Sequence, residues 1–232
     1  EDKGDILAVR ERLKDIENQF KLQKEYSRNM ELIVDAVRKE KHDFKNHIST
    51  LIALCIMQES GVAESVKAYA RKLTSNEDFT GFRFYNTGNK YLDGLLSIKN
   101  NMAKSKGIHF EVDIETTLGR ISVDDVDLTS IVGNIIDNAF DAVSMNLPDK
   151  KKIVCFSIFQ EDNQCNISIS NNGMEIPEIQ REHIFDYKYS TKNKEEGERG
   201  YGLYIVKELT SRNQGQIAFR SNEFETEFLI TF

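Results

Sequence analysis

Asn134-Ile135-Ile136-Asp137-Asn138-Ala139-Phe140-Asp141-Ala142 is the stretch on which the fold turns. Leu128, Ile131, Ile135, Ile136, Ala139, Ala142 and Val143 recur at helical spacing and predict one buried face. Asn134, Asn138 and Asp141 fall at i, i+4 and i+7 on another face, beside Asp137. Asparagine is a mediocre helix former, so two of them one turn apart point to a use. Carboxamide oxygens are hard ligands suited to Mg²⁺, which keeps waters and phosphate oxygens as its other partners. A polar face that merely meets water is the plainer reading of the same residues.

Outward from this stretch, Ser122 with Asp124, Asp125 and Asp127 predicts the start of a helix over about 124–146. Upstream, a helix near 89–106 leads to a strand at 108–115. Downstream, strand-like runs at 152–160 and 164–170 precede a polar, irregular stretch at 171–199. A helix at about 200–213 and strands at 216–221 and 224–231 follow. Helices and strands mix without βαβ regularity, which predicts an α/β sandwich, one sheet covered by helices on one face.

The first 73 residues have another texture. Ile6, Val9, Leu13, Ile16 and Phe20 recur at spacings of 3 and 4, the seam of a coiled coil. The seam weakens at Gln23 and Ser27, and apolar spacing resumes at Met30, Ile33, Val34 and Val37. No glycine lies between Gly4 and Gly61, and the two prolines are Pro148 and Pro177, so a long helix is expected. Gly61 predicts a hairpin turn, and 63–73 a returning helix with Val66, Tyr69, Ala70 and Leu73 on one face. Two antiparallel helices per chain, doubled in a homodimer, make a four-helix bundle. Residues 74–90, rich in Ser, Asn, Thr and Gly, predict a linker. The expected fold class is α+β, a helical hairpin followed by the sandwich.

Composition narrows the function. The chain has 232 residues, of which 39% are hydrophobic and 30% charged, enough for a packed core. No run approaches the roughly 18 apolar residues of a membrane span, and no signal peptide is visible. With 31 basic against 38 acidic residues the net charge is −7, which argues against a nucleic-acid partner. Cys55, Cys155 and Cys165 are odd in number and form no CxxC pair, so a disulfide scaffold and a cysteine zinc site are disfavoured. A reducing cytosol is the expected compartment.

Three further segments carry chemistry. In Lys41-His42-Asp43-Phe44-Lys45-Asn46-His47, the residues Phe44, Ile48, Leu51 and Cys55 predict a buried stripe. His42 and Asn46 lie roughly opposite it, one turn apart, facing solvent. An exposed imidazole beside Asp43 can act as a nucleophile, the acid holding the proton on one ring nitrogen and freeing the other. Ordinary surface residues are the plainer reading, and His47, on the flank of the stripe, reads as structural. Ser170-Asn171-Asn172-Gly173-Met174-Glu175-Ile176-Pro177 follows a strand directly. Gly200-Tyr201-Gly202-Leu203 opens a helix, where free amides suit phosphate. Between them Phe185, Lys188, Tyr189, Ser190, Thr191, Lys192 and Lys194 read as a lid over ATP. Neither GxxxxGK[ST] nor the protein-kinase HRD and DFG signatures occur.

In this order the segments resemble the boxes of two-component sensor histidine kinases. His42-Asp43-x-x-Asn46 resembles the H box, Asn134-x-x-x-Asn138-Ala139 the N box and Asn171-Asn172-Gly173 the first glycine box. Phe185 resembles the F box and Gly200-x-Gly202-Leu203 the second glycine box. The match covers about 25–232, and the Lys-His-Asp-Phe-Lys-Asn spelling is most similar to peptide-pheromone kinases of the accessory-gene-regulator type. The resemblance implies a signal helix at 1–24, a dimerisation and phosphotransfer domain at 25–80, and a Bergerat (GHKL) ATP-binding domain at 81–232. It implies a missing membrane sensor, so that the chain would be the cytoplasmic portion of a bacterial membrane protein.

The implied activity is ATP-dependent phosphorylation of His42, with transfer to an aspartate of a response-regulator receiver domain, in peptide quorum sensing. Asp43 and Asn46 would assist at His42. Asn134, Asn138, Asp141, Asn171, Gly173, Lys192, Gly200, Gly202 and Leu203 would hold ATP, and Asn138 the Mg²⁺. The resemblance is broken at two places: Asn171 stands where the family has an acid, and Glu175 where it has a second glycine. The amide NH₂ of an uncharged carboxamide could also rotate in to meet guanine's O6, so modest ATP affinity and poorer discrimination against GTP than with an aspartate are expected, and Asn171→Asp should tighten ATP and sharpen that preference. The alternative function is a degenerate nucleotide-binding dimeric switch without catalysis. A gyrase-like ATPase is disfavoured, because those enzymes carry a glutamate where Asn134 stands.

Overall fold

The computed structural model describes residues 41–56, 61–73, 83–119, 121–189 and 200–232, with isolated positions between 12 and 39. The chain divides into two compact units, Glu1–Asp78 and Phe79–Phe232. The expected coiled-coil seam from Ile6 to Phe20 lies outside the described residues.

In the first unit, residues 41–56 form helix α1 and Val62–Leu73 helix α2. Gly61, with φ +102°, takes the left-handed turn before α2 that glycine accepts without a Cβ clash. The helices meet through His47 Nδ1 and the Tyr69 hydroxyl, 3.0 Å apart. Leu51, Leu54, Val62, Val66 and Ala70 are the other half-buried side chains described in the pair. Within the single chain the expected stripe is only partly covered. Phe44, Ile48 and Cys55 are exposed, and of the four only Leu51 is half-buried. One neighbouring helix covers one stripe of another. A second apolar row, Phe44 (65% exposed), Ile48 (40%), Ile52 (53%) and Ile56 (71%), stays open within the single chain.

The second unit is built on a five-stranded sheet with order β1-β2-β3-β5-β4. The strands are β1 (His109–Ile114), β2 (Ile153–Glu161), β3 (Gln164–Asn171), β4 (Gln216–Ser221) and β5 (Thr226–Thr231). The helices are α3 (Lys90–Ser105), α4 (Asp125–Ser144), the short α5 (Glu178–Arg181) and α6 (Gly202–Arg212). β1 and β2 are parallel and are joined by α4 in a single βαβ crossover, and the other pairings are antiparallel, so βαβ units do not recur. Asp162 and Asn163, both at positive φ, make the two-residue turn between β2 and β3.

α4 starts at Asp124, whose carboxylate accepts from the N–H groups of Val126 and Asp127, rather than at Ser122. Its apolar face carries Ile131, Ile135, Ile136, Phe140 and Val143, all at most 1% exposed. These pack on the inward side chains of the sheet, Val154, Phe156, Ile158, Ile167, Ile169 and Ile230, and beside Leu92 and Leu96 of α3. The opposite sheet face is polar, with Ser168 donating to Glu227 and Arg220 paired with it. Alternating side chains explain both faces. Residues 83–89 are no free linker. Thr87 is fully buried and donates through its N–H and hydroxyl to Asp93 at 2.9 and 2.8 Å.

The two ends of α4 differ in purpose. Near its start Asp127 accepts from Arg212 and Asn213 of the α6 end, which fixes α6 on α4. Those hydrogen bonds, Arg212 first, hold the Asp127 carboxyl below the ordinary carboxylate range. The other end of α4 borders a cleft.

Candidate functional site

α4, the chain after β3 and the start of α6 enclose a cleft of about 840 Å³. Of the nine residues predicted to hold the cofactor, seven line it: Asn134, Asn138, Asp141, Asn171, Gly200, Gly202 and Leu203. Gly173, between the lining residues Asn171 and Met174, does not itself line the cleft, and Lys192 is outside the described residues. A spread of some seventy positions in sequence converges here because α4 and α6 pack together while β3 ends beside them.

The polar end of the cleft combines α4 amides with the head of α6. Asn134 donates from Nδ2 to the Ser130 carbonyl at 2.7 Å, which fixes the rotamer of its side chain. Asn138 makes no side-chain hydrogen bond among the described residues. The first residue outside α6, Tyr201, provides no side-chain cap, so the first amides of the helix are open to an anion. Gly200, at φ +106°, brings the chain against the backbone of Lys188 and Tyr189; a Cβ there would lie 2.8 Å from Lys188 C. The two stems flanking 190–199 therefore touch, and Tyr187 packs edge-on against Tyr201 and Tyr204 at 5.3 Å each. On the outer side Asp137 is paired with the buried Lys99 at 2.6 Å.

The other end is apolar. Ala142, Met145, Met174, Ile176 and Phe228 surround Asn171, which is 5% exposed. Asn171 Oδ1 accepts from Gly173 N–H at 2.9 Å, and its Nδ2 donates to the Thr226 carbonyl at 3.3 Å. Gly173 is forced by space, since a Cβ on it would lie 2.8 Å from Ala142 Cβ. Arg181 ties the same loop down, donating to the Ile176 and Ser221 carbonyls and pairing with Glu175. That pairing is the use to which this chain puts Glu175. Phe185 packs edge-on against Phe219 and Phe228, and so supports the wall that Phe228 forms.

A metal fits this cleft only together with a ligand. Asn138 offers an amide oxygen, but the described residues contain no group of three His, Cys, Asp or Glu side chains able to hold an ion by themselves. Phosphate oxygens would have to complete the shell. The thiols of Cys155 and Cys165 are pushed up by burial, which removes them as nucleophiles.

The remaining predicted residues sit in the first unit. His42 is exposed, its side chain 72% accessible, and its Nδ1 lies 3.2 Å from Asn46 Nδ2 and 3.6 Å from Asp43 Oδ1. His47 faces α2 instead. The sequence reading did not find Arg181, Ser221, Thr226 or Phe228. These come from strands and a short helix whose contribution depends on tertiary pairing, and no local pattern marks them.

Residues 123–232 match the family model for histidine kinase-, DNA gyrase B- and HSP90-like ATPases. The chain is 32% identical over 195 residues to a probable C4-dicarboxylate sensor kinase of Halalkalibacterium halodurans, covering 83% of this chain and 36% of that protein. It is 29% identical over 193 residues to the sensor histidine kinase DpiB of Escherichia coli, covering 82% and 34%. The chain thus spans about a third of the length of the curated relatives it matches. Among solved structures, the catalytic domain of the histidine kinase ThkA superposes with a TM-score of 0.54 at 19% identity, covering 66% of this chain and 95% of that domain. That likeness shows the fold. The second unit is an α+β ATP-binding domain of the GHKL type, and its homologues are named sensor histidine kinases.

Proposed function

We propose that the chain is the kinase portion of a two-component sensor histidine kinase. The observation that carries this is the convergence of Asn134, Asn138, Asp141, Asn171, Gly200, Gly202 and Leu203 on one cleft. On this reading the apolar end takes the adenine and the α6 amides with the α4 carboxamides take the phosphates. Asn138 would hold the Mg²⁺, which supplies charge neutralisation on the phosphate oxygens. Lys192 would close over the phosphates from the lid.

His42 would be the nucleophile. The Asp43 carboxylate, 3.6 Å from Nδ1, would close on it to accept the Nδ1–H in place of the Asn46 amide that lies 3.2 Å from the same nitrogen, so that Nε2 presents its lone pair to the γ-phosphorus. The Nε2–P bond forms as the bond from phosphorus to the bridging oxygen breaks and ADP leaves. The Nδ1 proton passes to Asp43, which leaves an uncharged imidazole ring carrying the anionic phosphoryl group. The phosphoryl group then goes to a receiver-domain aspartate. Asn46, one turn on and beside the ring, would orient a water towards the receiver's phosphoaspartate, whose hydrolysis returns the aspartate and releases inorganic phosphate. The open row Phe44, Ile48, Ile52 and Ile56 supports a parallel homodimer through the first unit. The domain roles follow: signal helix 1–24, phosphotransfer domain 25–80 and ATP-binding domain 81–232.

The H-box spelling supports a peptide-pheromone input and hence quorum sensing. The relative named as a C4-dicarboxylate sensor kinase supports a second reading, a small carboxylate as the stimulus. Either input belongs to a membrane sensor region outside residues 1–232. A non-catalytic nucleotide switch is the competing function. Incubation with labelled Mg·ATP separates the two: the kinase gains protein-bound phosphate, and Asn138→Ala abolishes it while leaving the circular dichroism spectrum unchanged. A switch binds nucleotide and gains none.

A further inference from the structure

We propose that Tyr187 is a positioning residue for the phosphates: its ring holds the first turn of α6 in place, so that the helix can start without a cap. The proposal rests on reading the cleft as the ATP site. α6 begins at Gly202, and the carbonyl of Tyr201 accepts its first intrahelical bond, from the Ile205 N–H at 2.8 Å. Tyr201 therefore stands at the cap position, where Ser, Thr, Asp or Asn would satisfy one of the open N–H groups. Its side chain makes no such hydrogen bond. A side-chain cap would compete with an anion for those N–H groups, but its absence destabilises the helix start.

The Tyr201 ring is turned to another use. Tyr187 sits edge-on to Tyr201 and to Tyr204, with centroids 5.3 Å apart and interplanar angles of 72° and 74°. Tyr201 and Tyr204 are three apart and neighbours on the helix surface, so one ring grips the first turn at two points. Edge-to-face pairs stabilise beyond their burial, and two of them are of the same order as a missing cap.

Other contacts leave the first turn little freedom. On a different face of α6, Gly202 lies so near α4 that a Cβ would stand 3.1 Å from Asn134 Oδ1. Asn134 is itself fixed by its bond to the Ser130 carbonyl. Gly200 lies against the backbone of Lys188 and Tyr189, directly after Tyr187. Tyr187 is 60% exposed and does not line the cleft, so it acts on the phosphates through α6 and not by contact.

The test titrates the whole chain with Mg·ATP by calorimetry and with adenosine by NMR. Tyr187→Ala should weaken Mg·ATP about tenfold, because the bound phosphates must then order the first turn themselves. Adenosine has no phosphate, and its affinity should stay within about twofold. Tyr187→Phe keeps the ring edges and should bind Mg·ATP within about twofold of the unmodified chain. Tyr201→Ser supplies a cap and removes a ring pair; it should also weaken Mg·ATP about tenfold, since its hydroxyl takes an N–H that the phosphates need. Unchanged Mg·ATP binding by Tyr187→Ala or Tyr201→Ser, an equal loss for adenosine, or no rescue by Tyr187→Phe would each overturn the positioning role and leave the cleft a nucleotide site. No Mg·ATP binding by the unmodified chain would overturn the nucleotide reading, and the positioning role with it.

Discussion

Gly173→Ala tests how closely the glycine segment must approach α4. The added Cβ would lie 2.7 Å from Asn171 Oδ1, 2.8 Å from Ala142 Cβ and 3.0 Å from Ala142 C. Carbon atoms rest about 3.5–4 Å apart, so the segment must lift from α4 by roughly 1 Å. α4 will not yield, because its apolar face is wholly packed in the core. Overpacking of this kind costs about 1–3 kcal/mol, and weakening the Gly173–Asn171 hydrogen bond adds about 1 kcal/mol. For a unit of this size, Phe79–Phe232, a loss of about 2–4 kcal/mol lowers Tm by about 4–16 °C. The same lift displaces Asn171, so Mg·ATP affinity should fall at least about tenfold. Thermal melts by circular dichroism, with and without Mg·ATP, read both effects. A Tm within about 1 °C of the unmodified protein together with unchanged affinity would refute the reasoning.

Gly94→Ala is the opposite case: the residue is exposed within α3 and a Cβ there meets nothing within 4 Å, so stability should rise by about 0.5–1 kcal/mol in a denaturant titration. Asp127 predicts an acid limb. Its folded-state pKa is lowered by Arg212 and Asn213, so its contribution is complete above the ordinary aspartate range and is lost as pH falls below about 4. Tm of the unmodified chain should therefore drop more steeply towards about pH 3 than that of Asp127→Asn, and parallel curves would contradict this.

The residues legible in sequence are those whose type is costly where they stand. Two asparagines one turn apart on a helix with a wholly buried apolar face announced the polar wall of the cleft, and glycines after β3 and before α6 announced close backbone approach. Strand alternation and the charged start of α4 placed most elements to within a few residues. What stayed hidden depends on partners distant in sequence. Asn171 looked like a freely turning carboxamide, because its restraint comes from Thr226, 55 residues on, through the β3–β5 pairing. Arg181 and Phe228 carry no local signature of the loop they brace and the wall they form. In α1 the periodicity pointed to a single apolar stripe, and neither the second row through Ile52 and Ile56 nor the choice by α2 of the His47–Leu51–Leu54 side, which leaves Phe44 and Ile48 open, could be read from it.

The most direct test is to map the phosphate after incubation with labelled Mg·ATP. The account predicts an acid-labile, alkali-stable phosphate on His42, absent from His42→Gln and substantially retained in His47→Gln, whose imidazole lies against Tyr69. Label retained by His42→Gln, or an unmodified chain that binds ATP and gains no phosphate, would contradict it.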